Sequence, residues 1–393
     1  MKEDFKSRIG VYVLSRRKII VLAILLVVFT FSATTAGFLY LLKGNSADVV
    51  NTLKFFRALQ IVKARYVEPV DMDTLVAGAV KGMVSSLGDP HSVYMDAKMY
   101  KEFMVETEGS FGGVGMVLGV KDKVLTVVSP IEGTPSDKAG IKSGDQIIKI
   151  EGQETKDMAL DEAVGKIRGP EGSTVTLSIR HENEPVKEVA LTRSNIQIKT
   201  VAGKMLPDKI GYIRISMFNE NTGNDFNTKY KELEAEGMKS VILDLRDNPG
   251  GLLEESVKVA SKFVPKGPVV SVVTRDGHRE THSSTLEAIK YPVAVLVNGG
   301  SASASEIVSG AIQDTASGTL IGTKTYGKGS VQTVLRLDGG AIKLTIAKYL
   351  TPNDRSINGI GIEPDIKVEM DKDSKSDIQL DKAIEFVKEK MGK

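Results

Sequence analysis

No cysteine occurs anywhere in the 393 residues, which excludes disulfides, thiolate nucleophiles and cysteine-ligated zinc together. Histidine is nearly as scarce, with only His91, His181, His278 and His282. A Ser-His-Asp triad needs an imidazole set against a serine by a carboxylate, and none of the four is well placed for that. His91 falls in a helical stretch, and His181 ends a strand of a small β-domain. His278 and His282 stand in Arg275–His282, a polar stretch that reads as a solvated loop. Their spacing is not H-E-x-x-H and no third ligand is evident, so no metal or other cofactor is expected. An excess of one charge is missing too. With 52 basic against 50 acidic residues the net charge is +2, which leaves no electrostatic footprint for nucleic acid. At 41% hydrophobic and 26% charged the composition is globular, and the length implies two or three domains.

One stretch departs from that composition. Ile19–Leu42 holds 24 residues without a charge, and about 20 apolar residues span a bilayer as a helix. Arg16, Arg17 and Lys18 precede it, with Lys2, Lys6 and Arg8 farther out. Basic residues stay cytoplasmic, so 1–18 reads as a cytoplasmic tail, 19–42 as a single transmembrane anchor and the remainder as exported from the cell membrane. Thr34-Thr35-Ala36 also loosely fits a signal-peptide cleavage site. The apolar run continues past it through Phe38, Leu39 and Leu41, which favours a retained anchor.

Residues 46–105 read as a helical domain, with Phe55, Phe56, Leu59, Val62 and Tyr66 and then Leu75, Ala79, Met83 and Leu87 near a helical period. Gly88-Asp89-Pro90 ends the second helix. From 106 to 193 the chain turns to short β-runs between glycines. Phe111-Gly112-Gly113-Val114-Gly115 leads the first, Gly140-Ile141-Lys142-Ser143-Gly144-Asp145-Gln146-Ile147 follows, and a helix from about Leu160 to Ile167 precedes a strand at Thr174–Ile179. Residues 194–369 alternate strand and helix: Ile210–Ile215, a helix over 224–236, buried strands at Val241–Arg246 and Val293–Val297, and a helix over 305–313. That is an α/β core with parallel strands and functional loops at strand ends. In 370–393, Asp377–Lys390 reads as a solvated amphipathic helix.

The chemistry concentrates between Asn298 and Gln332. Asn298-Gly299-Gly300-Ser301-Ala302-Ser303-Ala304-Ser305-Glu306 joins a buried strand to a helix start. A serine there can attack a carbonyl, and the following amide can hold an oxyanion at the positive end of the helix. Serine N-capping explains the same residues without catalysis, and this stretch alone leaves the two readings open. Asp247-Asn248-Pro249-Gly250-Gly251 sets a double glycine at the end of another buried strand. Tyr326-Gly327-Lys328-Gly329 brackets a lysine with glycines.

Together with Gly359-Ile360-Gly361-Ile362-Glu363-Pro364-Asp365, these segments resemble the C-terminal processing (tail-specific) peptidases, and the 106–193 pattern resembles a permuted bacterial PDZ domain. The resemblance runs from about Ala64 to Asp365. It implies an α/β protease core related to the Clp protease and crotonase folds, with an inserted PDZ β-domain and an N-terminal helical segment, following the one transmembrane helix read above from the uncharged run. It further implies Ser303 as nucleophile and Lys328, 25 residues on, as general base. Gln332 would orient the lysine, and Asp314 would be supportive. Ala304 with Gly250 or Gly251 would form the oxyanion hole. The PDZ loop at 111–115 would receive a peptide terminus as an added strand, and Arg168, after the PDZ helix, is a candidate gate or simply a helix-end cation.

A lysine near pKa 10.4 accepts no proton at pH 7. Burial that lowers it by roughly 3 units disfavours the charge by about 4 kcal/mol, within reach of desolvation. The expected activity is therefore endopeptidase cleavage of exported or membrane-associated proteins with free C-termini, without cofactor. The N- and C-terminal helical segments are candidate surfaces for a homodimer. An inactive PDZ adaptor would lack the serine, the lysine or the glycine turns. An acyl-transfer enzyme on a related core would need neither the anchor nor the peptide-binding domain.

Overall fold

A computed structural model describes residues 15–41, 46–121, 123–182, 184–370 and 376–392. Lys2, Lys6, Arg8 and Leu42, used above for topology, lie outside the described residues. The chain divides into two compact units, 1–83 and 84–393. In the first, α1 (Arg16–Leu41) contains a 22-residue stretch, Arg16–Gly37, that is long and apolar enough to cross a membrane. Its threonines bond backwards, Thr30 to the Leu26 carbonyl and Thr34 to the Thr30 carbonyl, so their hydroxyls need no solvent. Next come α2 (Ser46–Arg65) and α3 (Met72–Ser85). Asp48 at the start of α2 and Lys63 and Arg65 at its end complement the helix dipole. Leu53, Phe55, Phe56 and Ile61 are exposed.

The second unit begins with β1 (Val93–Asp96) and α4 (Ala97–Glu108). Asp96 caps α4 by accepting from the Met99 N–H, and Gly109 closes it with φ 67°. β2 (Ser110–Gly113) leads into a small β-domain: β3 (Met116–Lys121), β4 (Val124–Pro130), α5 (Pro135–Lys138), β5 (Gln146–Ile150), β6 (Gln153–Glu154), α6 (Leu160–Ile167), β7 (Thr174–Arg180) and β8 (Lys187–Thr192). Its sheet runs β3-β4-β5-β7-β8 over a core of Val127, Ile147, Val175 and Leu177, closed by Ala163 and Ile167 of α6. β9 (Ser194–Gln197) returns antiparallel to β2, so one two-stranded stem carries the chain in and out.

The remaining elements are β10 (Val201–Leu206), β11 (Ile210–Ile215), α7 (Thr222–Ala235), β12 (Ser240–Asp244), α8 (Leu253–Ala260), β13 (Gly267–Thr274), β14 (Arg279–Ser284), β15 (Val293–Val297), α9 (Ala304–Asp314), β16 (Thr319–Gly322), β17 (Ser330–Leu337), β18 (Gly340–Leu350), β19 (Ile366–Lys367) and α10 (Ile378–Met391). One sheet, β10-β11-β12-β15-β16-β19, is parallel apart from β10. Its central strands are buried on both faces, which is why β12 and β15 read as unbroken apolar runs. Val241, Leu243, Val293, Val295 and Val297 point to the side packed by α7, α8 and α9, while Ile242, Ala294 and Leu296 point the other way.

That other face corrects the expectation for the tail. α10 is not a solvated helix: its Ala383 and Val387 are fully buried against Ile210, Ile242 and Leu296. Arg246, just past β12, holds its start by two bonds to Asp377, of 2.7 and 2.8 Å. The Arg275–His282 stretch is a loop only in its first half: Arg275–His278 make an exposed turn, and Arg279–His282 belong to a strand. That turn joins β13 to β14 as a hairpin, in a second sheet β1-β18-β13-β14 with β17 against β18. β14 is an edge strand with mostly exposed side chains, so its polarity is compatible with pairing. β1 and α4, within the stretch read as helical, belong to this sheet's surroundings, β1 pairing with β18.

Candidate active site

Three loops leave the carboxyl ends of the adjacent parallel strands β12, β15 and β16, where open α/β sheets carry their ligands. The β15 loop holds the three alternating serines. Ser301 donates to the Leu245 carbonyl at 2.8 Å, and Ser305 to the Asn248 carbonyl at 3.0 Å. Both are fully buried stitches to the β12 loop. Ser303, between them, stands at the mouth of α9 with φ 52° and ψ −113°. A non-glycine residue held there is strained, and such strain concentrates where a side chain must be presented.

The β12 loop makes that presentation sterically feasible. A Cβ on Gly250 (φ 101°) would lie 2.8 Å from the Ala302 carbonyl oxygen and 2.8 Å from Ser303 Cβ. Only a glycine lets these two backbones meet so closely. Asn248, fully buried, locks the loop: its Nδ2 donates to the Ile215 carbonyl at 2.9 Å, and its Oδ1 accepts the Gly250 N–H at 2.9 Å. The N–H groups of Ala304 and Gly251 donate to no group among the described residues.

The β16 loop brings Lys328 to the same cleft of about 520 Å³ that Ser303 opens on, with Gly250, Gly251, Gln332 and Lys343 in its lining. Gly327, with φ 92°, is pressed to within contact of the Gly359–Gly361 backbone, so the motif at 359–365 serves as the wall behind the lysine turn. Two buried groups tie the turns together. Glu306 is wholly buried; its Oε2 accepts the N–H of Ser303 at 2.9 Å and of Lys328 at 2.8 Å. Its Oε1 accepts the Gly327 N–H at 2.7 Å and the Thr325 hydroxyl at 2.6 Å. The Tyr349 hydroxyl lies 2.7 Å from the Lys328 carbonyl oxygen and 3.1 Å from that of Ser303, and burial holds it protonated. Lys328 itself is displaced below the ordinary lysine range, by burial first and by the like charge of Lys343 second. Asp89 and Glu306 pull the other way.

The other expected residues divide. Gln332 lines the cleft, but its Nε2 donates to Ser330 Oγ at 2.8 Å and Thr345 Oγ1 at 3.1 Å. Asp314 ends α9, roughly 16 Å along the helix from Ser303. It pairs with Arg355 and accepts the Asn353 N–H, a structural clamp on that loop. His91 sits near Lys328, whose charge, after burial, lowers its pKa, and His181 is bonded to Asp145 in the β-domain. Glu306, Tyr349 and Asn248 hold these turns together, a part that the sequence did not reveal.

Phe111, Gly113, Val114 and Gly115 of the 111–115 loop line a second, apolar groove of about 330 Å³ between β3 and α6, with Met116, Leu118 and Ile167. Gly112 lies beside them in β2, its carbonyl accepting the Gly169 N–H at 3.1 Å. Arg168, at the end of α6, stacks over the Phe111 ring at 4.1 Å. Burial lowers its pKa against the pull of Glu102 on α4. The open edge of β3 offers a strand-addition site beside an apolar pocket.

Residues 209–368 match peptidase family S41, residues 102–180 match the PDZ domain, and residues 41–99 match the activating protease CtpB N-terminal domain. The chain is 42% identical over 328 residues to the carboxy-terminal-processing protease of Bartonella bacilliformis, covering 80% of this chain and 74% of that one. It is 40% identical over 320 residues to the carboxy-terminal processing protease CtpA of Bacillus subtilis, covering 81% and 69%. Among solved structures, the photosystem II D1 C-terminal processing protease overlaps 80% of this chain and 86% of its own, with 31% identity and a TM-score of 0.48.

Proposed function

The chain belongs to the carboxy-terminal processing serine proteases of peptidase family S41, and on that footing we propose a membrane-anchored endopeptidase in which Ser303 is the nucleophile and Lys328 the general base. The observation that carries this reading is the strained Ser303 turn, joined through Glu306 and Tyr349 to a lysine whose amine is partly desolvated in the same cleft. Neutral Lys328 takes the Ser303 proton as Oγ attacks the peptide carbonyl. The resulting oxyanion is received by the Ala304 and Gly251 amides, which donate to no group among the described residues. Lys328 then gives the proton to the leaving amine, and a water, deprotonated by Lys328 in turn, releases the acyl group. Gln332 orients groups around the lysine from β17 and does not touch the reacting atoms.

In this reading the PDZ groove selects protein substrates by a free C-terminus that adds to β3. The anchor is α1, with Arg16, Arg17 and Lys18 at its cytoplasmic end and the catalytic unit outside. Of the two terminal helical segments, only α2 and α3 leave apolar side chains exposed, so a homodimer would form there and not through α10.

The test is degradation of an unfolded protein by the full-length chain in detergent. Ser303→Ala and Lys328→Ala each abolish turnover with thermal unfolding nearly unchanged. Lys328→Arg is equally dead, because a guanidinium cannot accept the proton. The double variant is no worse than either single one. Turnover surviving in Ser303→Ala overturns the assignment.

A further inference from the structure

Lys343 has no part in the steps above, yet its backbone is fixed on both sides. It sits in the middle of β18, opposite Val93 of β1 and Val334 of β17. Its side chain lines the cleft shared by Ser303 and Lys328 and is only partly exposed. Among the described residues no carboxylate forms an ion pair with it, and its ammonium lies 5.2 Å from the centre of the Phe103 ring. A partly buried cation without a counter-ion is costly, and a ring face beside it favours the charged form.

The charged groups around the two lysines are few. Lys328 faces Asp89 and His91 from the segment before β1, Glu306 from α9, and Lys343 and Tyr349 from β18. Burial lowers the Lys343 pKa as well, and Glu106 of α4 pulls it back up. Glu254, Glu280 and His282 also line the cleft. The Glu306 carboxylate is already engaged by three backbone N–H groups and the Thr325 hydroxyl, so it is no ion-pair partner for the Lys328 amine.

We propose that Lys343 is a positioning residue that acts through Lys328: its fixed ammonium repels a second positive charge in the cleft and so keeps the neighbouring amine in its proton-accepting form. The inference rests on Lys328 being the general base. Burial is the larger influence on Lys328 and Lys343 the next, so the lysine pair sharpens a tendency that desolvation begins. Phe103 and Glu106 favour the charged form of Lys343 against its own burial.

The experiment is a pH profile of kcat/KM for a peptide substrate with the full-length chain in detergent. Alongside it, the pH dependence of Ser303 modification by a fluorophosphonate probe is measured. Replacing Lys343 by methionine or glutamine removes a like charge, so the Lys328 pKa rises and a smaller fraction of the amine is neutral at a given pH. The acidic limb therefore moves up by about one pH unit, close to a tenfold loss below the limb that vanishes on the alkaline plateau. Lys343→Arg keeps the charge and leaves the limb in place. A Lys343→Gln or Lys343→Met protein that unfolds like wild type but keeps the wild-type limb overturns the proposal. So does a loss that is equal at every pH, which is what a purely packing role gives. Lys328→Ala is run in parallel. Activity retained there sinks the general-base reading itself, whereas a dead Lys328→Ala beside an unmoved limb sinks only the role of Lys343.

Discussion

Around Ser303 nearly every polar group is committed: Glu306 takes four hydrogen bonds, Asn248 both gives and accepts, and Ser301 and Ser305 are sewn to the neighbouring loop. Around the peptide groove the lining is apolar, and its one cation rests on a ring face. The first region is overdetermined, so it can hold a serine at a strained φ and two amides that donate to nothing among the described residues. The second, read as the peptide site proposed above, gains its affinity from what arrives. A site for bond breaking is built rigid, whereas a site that reads different chain ends keeps an unsatisfied strand edge and a soft apolar wall.

The sharpest way to break that contrast is to loosen the rigid region. Glu306→Gln keeps size but loses acceptor capacity toward Ser303, Gly327, Lys328 and Thr325. Hydrogen bonds to a charged group contribute about 1.5–3 kcal/mol each. We expect a loss of roughly 3 kcal/mol or more in chemical denaturation and at least a 100-fold fall in turnover, the larger part in kcat. Gly250→Ala, whose Cβ has no room beside the Ala302 carbonyl, is expected to fall as far. Near-wild-type kcat in a folded Glu306→Gln protein would mean that rigidity at the turn is not what the reaction uses.

What the sequence made legible follows the same divide. β15 and α6 were readable to the residue, because a fully buried strand and a short amphipathic helix leave strong patterns. The β17–β18 hairpin was not. Its Arg336, Lys343 and Lys348 interrupt any alternation, since this sheet is wet on one side and lines the cleft on the other. At the site, the serine and lysine turns announced themselves through glycine spacing and a family resemblance. Glu306 and Tyr349 did not, because a glutamate in the first turn of a helix reads as an ordinary dipole partner. Nothing local shows that three segments will converge on its carboxylate. α10 was misread for a related reason: its apolar stripe was seen, but the open face of the sheet that it covers exists only after folding.

The soft region is probed by Arg168→Ala. The ring contact with Phe111 is worth about 1 kcal/mol, too little to matter for folding. The expected outcome is a change of roughly fivefold to tenfold in cleavage of peptides ending in a free apolar C-terminus. Amidated or tail-less peptides should change less than twofold. Equal effects on both substrate classes would remove Arg168 from substrate sensing and leave it as a helix-end cation.

The smallest expected effect distinguishes function from stability at Lys328 itself. Its folded-state pKa lies below the unfolded value because burial and Lys343 disfavour the charge. Between the folded pKa and about 10.4, the unfolded chain binds more protons than the folded one, so stability rises with pH across that window. Below it, both states carry the charge and the full cost of holding an ammonium in the cleft is present. Lys328→Met removes that cost. Thermal unfolding of the Met variant should therefore come a few degrees higher than wild type near neutrality. The gap should close as pH approaches the unfolded lysine value, while turnover stays absent throughout. A Lys328→Met protein that is less stable at neutral pH and no closer to wild type at high pH would show that the lysine is held by favourable contacts. Its reactivity could not then come from desolvation.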